Sequence, residues 1–593
     1  MCEFVFLRTA IRALAVGWSK GLRAILSLSL KALFIMKPTS FVAGCALAFT
    51  LLSGCGPVLA DANWTAAGQS LSNARNASNE HRISIKTAPL LTTQWTYMAA
   101  GDVTANPAVE GDFLYFPDAS GFLYKINRRT GAEVWKFPIS KYTGIAGDYA
   151  RATPAIAGDA LILGNQNGKN LEFFGQPAPQ GAWVFAVDKK TGAKLWLTQV
   201  DGTARAMVTH SAIVAKGMAY VGVASNEELV AGIIAKATPL PPIYATGWQW
   251  SFRGSIAALD VKTGAIKWKT YTVPEGYYGG SVWGSTGAVD LKRNQLYMAT
   301  GDNFWAPESV QTCVAVARSK SLDPSACHAA DDYYDSVVAL DLDTGKVKWG
   351  KRGLDYDTWN VGCGLFVPGF TFGPNDNCPN PKGPDWDFAQ GPILMGDDDD
   401  AVVGAGQKSG MFWAFKAKNG ALVWKTQVAP GGLTGGLQWG SAYDGQRIYV
   451  AVSNAGPILG LGQDAQPWTL KDGSVTTSGG WAALDAKSGK VLWTTKDPNG
   501  GRAEAAVSVA NGVVFACNME YNPANPALGA GHYFALNGAT GQPIWSSPAT
   551  SSCVAGPSIA RGMVYWGSGN FRGLRPNAVY GFGLPDSGDD SDD

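Results

Sequence analysis

The chain has 593 residues, with 48 Lys and Arg against 47 Asp and Glu, so its formal net charge is +1. It has no dense stripe of Lys and Arg, which argues against nucleic acid as a partner, because phosphate binding needs clustered positive charge. The 73 glycines, 22 tryptophans and low charged fraction of 16% are typical of a turn-dense β protein with large aromatic packing.

Residues 1–60 predict an export leader rather than part of the fold. Met36 is a candidate true start, because a lysine and the apolar stretch FVAGCALAFTLL follow it. The segment LSGC ends at Cys55 and has the form of a lipoprotein processing site, which would anchor the protein to lipid, whereas VLA ending at Ala60 offers ordinary signal cleavage. Both alternatives predict a periplasmic protein, either free or anchored to the membrane.

Six of the nine cysteines follow this leader, and an even number in an exported chain predicts disulfides. We expect two local pairs, Cys313 with Cys327 and Cys363 with Cys378, each closing a loop of about 15 residues. No CxxCH motif occurs, which excludes a covalently attached haem of the usual kind on this chain.

A repeated motif organises most of the remaining chain. Seven times, an apolar run leads to a turn that ends in Gly, and Trp follows four residues later. The glycines are Gly131, Gly192, Gly264, Gly345, Gly420, Gly489 and Gly541. Each copy is typical of two β-strands joined by a turn whose Gly takes positive φ. Repeats of more than about 40 residues, large enough for four strands each, predict an all-β propeller.

We predict that an eighth copy is split between the ends of the propeller. VYGFGLP around Tyr580 supplies its apolar run, and LLTTQW ending at Trp95 supplies its closing strand. Pairing the first and last strands within one blade removes open sheet edges. The sequence therefore predicts an eight-bladed β-propeller over residues 61–585, with seven blades as the alternative, and an acidic tail over residues 586–593.

Ordered motifs between and around the repeats carry a family resemblance. They are SFRGSIAALD, GGSVWGS, TGDN, DTWN, GQKSG and GGLQWG. With the repeats, they make the chain from Trp64 to Gly583 resemble the alcohol dehydrogenases that depend on pyrroloquinoline quinone (PQQ), and above all their polyvinyl alcohol dehydrogenase branch. The resemblance implies a PQQ-dependent oxidoreductase.

PQQ is a flat quinone with three carboxylates, so its pocket needs an aromatic floor and fixed positive charge. By this resemblance, Trp283 is the stacking tryptophan and Lys408 the cation near the quinone oxygens. Arg151 and Thr209 align more loosely with cofactor-contacting positions, and Trp439 would close the far side of the pocket.

The resemblance also implies a Ca²⁺ ion, which takes hard oxygen ligands. Glu227 matches the carboxylate ligand, with Glu228 as the adjacent alternative, and Asp302 or Asn303 would supply further oxygen. Asp357 in DTWN matches the catalytic aspartate, which would accept the hydroxyl proton of the alcohol while hydride passes to the quinone.

The family branch implies secondary alcohols as substrates, including poly(vinyl alcohol) or its oligomers, and residues 239–250 would shape the entrance. Because a haem domain is missing, electrons would leave to a separate cytochrome c or quinone. Two alternatives stay open. One is a non-catalytic lipoprotein propeller that acts as a scaffold in outer-membrane protein assembly, and the other is a sensor that binds PQQ without turnover.

Overall fold

The structure is a computed structural model that describes residues 63–167, 181–234, 249–367, 370–372, 374–454, 465–519, 531–569 and 577–585. The leader, with Met36, Cys55 and Ala60, lies outside the described residues. So do the acidic tail and residues 239–248 of the predicted entrance loop.

Eight antiparallel sheets follow one another along the chain, and we number them as blades 1 to 8. From the inner to the outer edge, the strands are Ala108–Glu110, Phe113–Pro117, Phe122–Asn127 and Glu133–Pro138 in blade 1; Ala155–Ala157, Ala160–Gly164, Ala182–Asp188 and Lys194–Asp201 in blade 2; and, in blade 3, Ala206–Met207 and Ile213–Ala215, which both pair with Met218–Ser225, followed by Ser255–Asp260 and Ile266–Tyr271. In the same order, they are Ala288–Asp290, Gln295–Ala299, Ser336–Asp341 and Val347–Arg352 in blade 4; Ile393–Met395, Val402–Gly406, Met411–Lys416 and Leu422–Gln427 in blade 5; and Ala442–Tyr443, Arg447–Val452, Gly480–Asp485 and Val491–Lys496 in blade 6. The last two blades consist of Ser508–Ala510, Val513–Cys517, His532–Asn537 and Pro543–Pro548 in blade 7, and of Ser558–Ala560, Met563–Gly567, Asn577–Gly583 and Thr92–Ala99 in blade 8.

The remaining elements lie outside the blade strands, in segments between blades or between strands of one blade. Two-stranded ribbons pair Tyr278–Gly279 with Asn303–Trp305, Leu365–Val367 with Phe370–Phe372, and Trp468–Thr469 with Val475–Thr476. The α-helices are Ser140–Thr143, Glu227–Ile234 and Glu308–Ser319, and the 3₁₀ turns are Ala88–Leu90, Pro324–Cys327 and Val361–Cys363. Within the described ranges, none of the helices combines the length and apolar character that crossing a membrane requires.

Blade 8 closes the ring with strands from both ends of the propeller. Thr92–Ala99 pairs antiparallel with Asn577–Gly583, and Trp95 lies opposite Gly581. The inner strands of neighbouring blades contact each other in a closed cycle, including those of blades 8 and 1. The predicted eight-bladed propeller with a split blade is therefore confirmed.

The repeated Gly and Trp together form the joint between blades. All seven repeat glycines have positive φ, between 69° and 75°. In blades 3 to 7 and in blade 1, a Cβ on this Gly would lie within 3 Å of the outer-strand Trp of the preceding blade, as with Gly345 and Trp268 at 2.4 Å. The same indole donates its N–H to a backbone oxygen of the next blade, as from Trp268 to Leu342 at 3.0 Å. Indole packing thus needs a turn without a side chain.

The joint between blades 1 and 2 departs from this pattern. A Cβ on Gly192 would meet Phe137 at 2.4 Å, and Trp135 lies 3.5 Å away. The indole N–H of Trp135 has no acceptor among the described residues. Tyr142 donates to the Gly192 oxygen at 3.0 Å instead, so a phenol replaces the indole as the donor at this joint.

Residues 64–77, which we call the plug segment, precede the first blade and run past the inner strands of six blades. Its backbone bonds to inner strands of blades 1, 2, 4, 5, 6 and 7. The N–H of Val289 donates to Leu71 at 2.7 Å, and that of Val509 donates to Arg75 at 2.9 Å. Because successive blades hold this one segment, it ties the centre of the propeller together.

All six cysteines after the leader form disulfides. The predicted pairs Cys313–Cys327 and Cys363–Cys378 are confirmed. A third bond, Cys517–Cys553, joins blade 7 to the segment before blade 8. Of the first two bridges, Cys363–Cys378 belongs to an apolar cluster with Leu433, which lines the cavity described next.

Candidate active site

A cavity of about 270 Å³ lies where insertions from several blades meet. Its lining combines aromatic, cationic and carboxylate side chains. The lining residues are Arg151, Met207, Thr209, Ala224, Ser225, Glu228, Ser281, Trp283, Asp302, Phe304, Asp387, Lys408, Leu433, Thr434, Gln438, Trp439 and Glu504. Five predicted cofactor residues (Arg151, Thr209, Trp283, Lys408 and Trp439), with Asp302 and Glu228, thus come together, although they lie up to 288 residues apart in the chain.

Lys408 and Asp387 form the centre of this cavity. The Lys408 Nζ lies 2.6 Å from Asp387 Oδ2 and 2.7 Å from Asp385 Oδ1. Burial alone would favour the neutral amine, but Asp385, Asp387 and Glu228 outweigh it and raise the pKa of Lys408 well above its usual range. Lys408 is therefore a fixed ammonium at neutral pH.

Asp387 also contacts two further parts of the site. Its Oδ2 accepts the indole N–H of Trp283 at 3.2 Å, and its Oδ1 accepts the backbone N–H of Asp302 at 2.7 Å. Both oxygens of one carboxylate thus connect the aromatic wall, the ammonium and the Asp302 backbone. These bonds fix the orientation of Asp387 within the cavity.

Two tryptophans form the aromatic walls. The rings of Trp283 and Trp439 lie 5.3 Å apart at 77°, an edge-to-face arrangement. Lys408 Nζ is 5.3 Å from the Trp283 ring, and the Arg151 guanidinium is 4.8 Å from the Trp439 ring. The Trp439 indole donates to Glu504 at 3.2 Å, and Thr209 donates to the Trp283 backbone oxygen at 3.4 Å. Flat apolar faces and positive charge therefore line the same space.

Carboxylates crowd one corner of the cavity. Asp302, Asp385 and Asp387 can each direct one oxygen so that the three atoms lie within 4.8 Å of one another. Burial and the neighbouring carboxylates raise the pKa of Asp302. Burial, opposed by Lys408, raises the pKa of Glu228 to about 7. This excess of buried negative charge suits a bound cation with hard oxygen ligands.

The structure positions Asp357 behind the cavity rather than in its wall. It is fully buried, and its carboxylate oxygens accept the backbone N–H groups of Asp385 at 3.1 Å and Trp386 at 2.7 Å. Burial raises its pKa to about 7 against the effect of these bonds. Asp357, the base expected from DTWN, thus holds the backbone that presents Asp385 and Asp387 and is not among the residues that line the cavity.

Glu227 and Asn303 also lie outside the cavity wall. Glu227 is buried and accepts N–H groups from Ser251 and Phe252, at 3.1 and 3.0 Å. The Asn303 side-chain amide donates to Asp332 at 3.0 Å. Their chain neighbours Glu228 and Asp302 line the cavity instead, because adjacent side chains point in different directions.

Asp385 and Asp387 are functional-site candidates that lie outside the set predicted from the sequence motifs. Both occur in PDWDFAQ, where two aspartates flank Trp386 shortly before Lys408. This segment places aspartates beside a Trp, as DTWN does, and so it indicates a functional site by the same pattern. Only the folding of residues 385–386 over Asp357 decides which segment reaches the cavity.

Comparison with known proteins agrees with this architecture. A family profile described as outer membrane protein assembly factor BamB matches residues 82–351, 408–517 and 477–578. The polyvinylalcohol dehydrogenase of Sphingopyxis sp. (strain 113P3) is 30% identical over 81% of this chain and 68% of its own length. A second polyvinylalcohol dehydrogenase, from Pseudomonas sp., is 27% identical over 85% of this chain and 73% of its own length.

Solved structures share the fold at lower identity. The quinohemoprotein alcohol dehydrogenase of Comamonas testosteroni superposes with a TM-score of 0.60 and 18% identity, over 88% of this chain and 80% of that one. A europium-containing methanol dehydrogenase gives the same TM-score at 15% identity, over 88% of this chain and 98% of that one. The repeats, the ring of eight blades and the similarity along the sequence together show that the chain belongs to the quinoprotein alcohol dehydrogenase family, beside its polyvinyl alcohol dehydrogenase members.

Proposed function

We propose that this protein is a PQQ-dependent dehydrogenase that oxidises alcohols, with secondary alcohols such as poly(vinyl alcohol) or its oligomers as substrates. The observation that carries the proposal is the contact of one carboxylate, Asp387, with the ammonium of Lys408 and the indole of Trp283 in a single cavity. The substrate class rests on the names of the two polyvinylalcohol dehydrogenases that this chain resembles.

The residues of the cavity fit PQQ. Trp283 offers an indole face, and Lys408 and Arg151 offer positive charge for carboxylates and quinone oxygens. The cavity volume of about 270 Å³ is close to the lower end of the range for small-molecule sites, roughly 300–1,000 Å³. PQQ would supply a two-electron acceptor for the hydrogen on the alcohol carbon.

The residues also fit a divalent cation, and we propose Ca²⁺. Asp302 and Asp385, two of the three clustered aspartates, would supply hard oxygen ligands, with Glu228 as a further carboxylate in the cavity. A cation there would offset buried carboxylates that are otherwise costly to ionise. Its chemistry would be that of a Lewis acid beside the cofactor.

Within this framework, Asp387 is the proposed general base that accepts the hydroxyl proton of the alcohol. It borders the cavity, whereas Asp357 is enclosed by the backbone of residues 385–386. Lys408 keeps the carboxylate oriented, and its fixed positive charge favours negative charge that develops nearby. Asp357 then becomes a positioning residue for the proposed base.

We further propose an exported protein whose electrons pass to a separate cytochrome c or quinone. The BamB description of the family profile keeps the assembly scaffold as a second candidate, because the propeller repeat is common to both. A scaffold, however, has no need of an ammonium held between two buried carboxylates in a cavity. The contacts of Lys408 with Asp385 and Asp387 therefore favour the enzyme.

The test is reconstitution of the full chain with PQQ and Ca²⁺. We expect quenching of tryptophan fluorescence on binding and then reduction of an artificial dye, faster with poly(vinyl alcohol) oligomers and secondary alcohols than with primary ones. Binding without turnover would favour the sensor, and no binding would favour the scaffold.

A further inference from the structure

A second, smaller cavity adjoins the candidate active site. Its volume is about 40 Å³, and it shares Arg151, Thr209 and Trp439 with the larger cavity. A space of this size holds ~3 water molecules or one small group. Arg75 enters it from the plug segment, and none of its 14 lining residues is Asp or Glu. We call it the axial cavity.

Arg75 is the unusual member of this lining. It is only 1% exposed, and its Nε and Nη1 have no hydrogen-bond acceptor among the described residues. Its backbone is held on both sides, since its N–H donates to Gly68 at 3.0 Å and its oxygen accepts from Val509 at 2.9 Å. The guanidinium is therefore kept in the interior by the plug segment.

A buried cation without a counter-charge is costly. Burial lowers the pKa of Arg75 to about 10, and no described carboxylate offsets that effect. The surroundings instead make room for the group, because a Cβ on Gly440 would lie 2.5 Å from Arg75 Nε. Space is provided for the guanidinium, but neutralising charge is not.

Two further side chains that line the axial cavity, Ser285 and Arg151, can still form hydrogen bonds. The Ser285 hydroxyl is buried and has no partner among the described residues. Arg151 lies over the Trp439 ring, and no hydrogen bond or ion pair joins its guanidinium to the part of the chain that the structure describes. The nearby carboxylate of Glu504 already accepts from Trp439 and Arg502, at 3.2 and 3.4 Å.

We propose that the axial cavity binds one small anionic group, of chloride or carboxylate size, between the guanidinium groups of Arg75 and Arg151, with Ser285 as a hydroxyl donor. Two sources share this chemistry. One is a free halide ion, and the other is a carboxylate of the cofactor in the adjoining cavity. The second source rests on the proposed function, whereas the first does not.

Thermal unfolding of the cofactor-free protein is the first test, with sodium chloride compared with sodium gluconate at equal ionic strength. Binding to the folded state alone should raise Tm in chloride by about 1–3 °C. Arg75→Met should abolish this difference. Arg293→Met should keep it, because Arg293 pairs with Asp290 at 2.7 Å in blade 4.

Two further measurements separate the sources. Bromide in crystals of the wild-type protein should give an anomalous peak beside Arg75, which tests the site even if Arg75→Met does not fold. If loading with PQQ removes the chloride shift, a cofactor carboxylate takes the cavity, and if the shift persists, the occupant is a free ion. A chloride shift without PQQ binding supports the anion site while contradicting the proposed function. The inference is overturned if the wild type shows neither a chloride shift nor a bromide peak, and Arg75→Met binds PQQ as tightly as the wild type.

Discussion

The ammonium of Lys408 lies 2.6 Å from Asp387 Oδ2, and the two side chains are 10% and 7% exposed. Such a buried pair contributes little net stability compared with apolar residues, but the loss of either partner leaves a charge uncompensated. Lys408 also contacts Asp385, so one cation here serves two carboxylates. Burying these three charged groups costs free energy of folding, which is consistent with a functional rather than a stabilising role.

Lys408→Met should abolish dye reduction and lower the free energy of unfolding by about 3–5 kcal/mol, because Asp385 and Asp387 lose their shared cation. The double variant Lys408→Met/Asp385→Asn should recover part of the stability but none of the activity. Denaturant unfolding and dye reduction measure the two effects.

The matched control for Lys408 is Lys269→Met, which removes an ion pair with Asp201 of 2.8 Å in blades 2 and 3. It should leave the turnover per PQQ bound unchanged. Equal losses of turnover in Lys269→Met and Lys408→Met would contradict a specific role for the Lys408 ammonium.

Calcium affinity should depend on pH around neutrality. Glu228 has a pKa raised to about 7 in the metal-free protein, and a carboxylate must lose its proton to bind metal. Between pH 8 and pH 6 we expect the apparent affinity to fall by up to about tenfold. Calcium titration followed by tryptophan fluorescence checks this, and Glu228→Gln should flatten the pH dependence.

The same group fixes the sign of a stability effect. Because the folded-state pKa of Glu228 lies above its ordinary value of 4.5, its contribution favours folding at low pH and is lost as pH rises through about 7. Metal-free wild type should therefore lose stability, relative to Glu228→Gln, between pH 5 and pH 8. A difference that grows in the opposite direction would contradict the raised pKa of Glu228.

The joints between blades yield a prediction about stability alone. Gly345→Ala should lower the free energy of unfolding by more than Gly217→Ala, although both glycines have positive φ, at 70° and 76°. A Cβ at Gly345 would lie 2.4 Å from Trp268, whereas at Gly217 nothing lies within 4 Å. We expect about 1–2 kcal/mol for the backbone strain in both and a further 1–3 kcal/mol for displacing the indole in Gly345→Ala. Equal losses would mean that the indole contact adds nothing.

The blades can be predicted from the sequence because each repeat contains the residues that form it. Its Gly allows the turn, and its Trp packs on the Gly turn of the next blade. The motifs also single out Trp283 and Lys408, which line one cavity. They do not decide between two similar aspartate segments. Asp357 and Asp387 both lie near a Trp, and only the crossing of residues 385–386 over Asp357 distinguishes them.

Neighbouring residues in the chain raise the same difficulty at shorter range. Glu227 and Glu228 begin one helix, yet Ser251 and Phe252 bind the first and the cavity receives the second. The plug segment has no repeat signal, because its backbone partners are inner strands up to about 430 residues away. Such choices are made by tertiary contacts that no local pattern encodes.

The most direct test of the account compares Asp387→Asn with Asp357→Asn after reconstitution with PQQ and Ca²⁺, with kcat/KM for a secondary alcohol measured by dye reduction. Removal of a general base should lower kcat/KM by about 10²–10⁴ in Asp387→Asn while PQQ still quenches tryptophan fluorescence. Asp357→Asn should retain activity within about tenfold, with a lower Tm, because an amide cannot accept both backbone N–H groups. Full activity in Asp387→Asn, together with loss of activity in Asp357→Asn, would contradict Asp387 as the base and support Asp357, the catalytic aspartate predicted from DTWN.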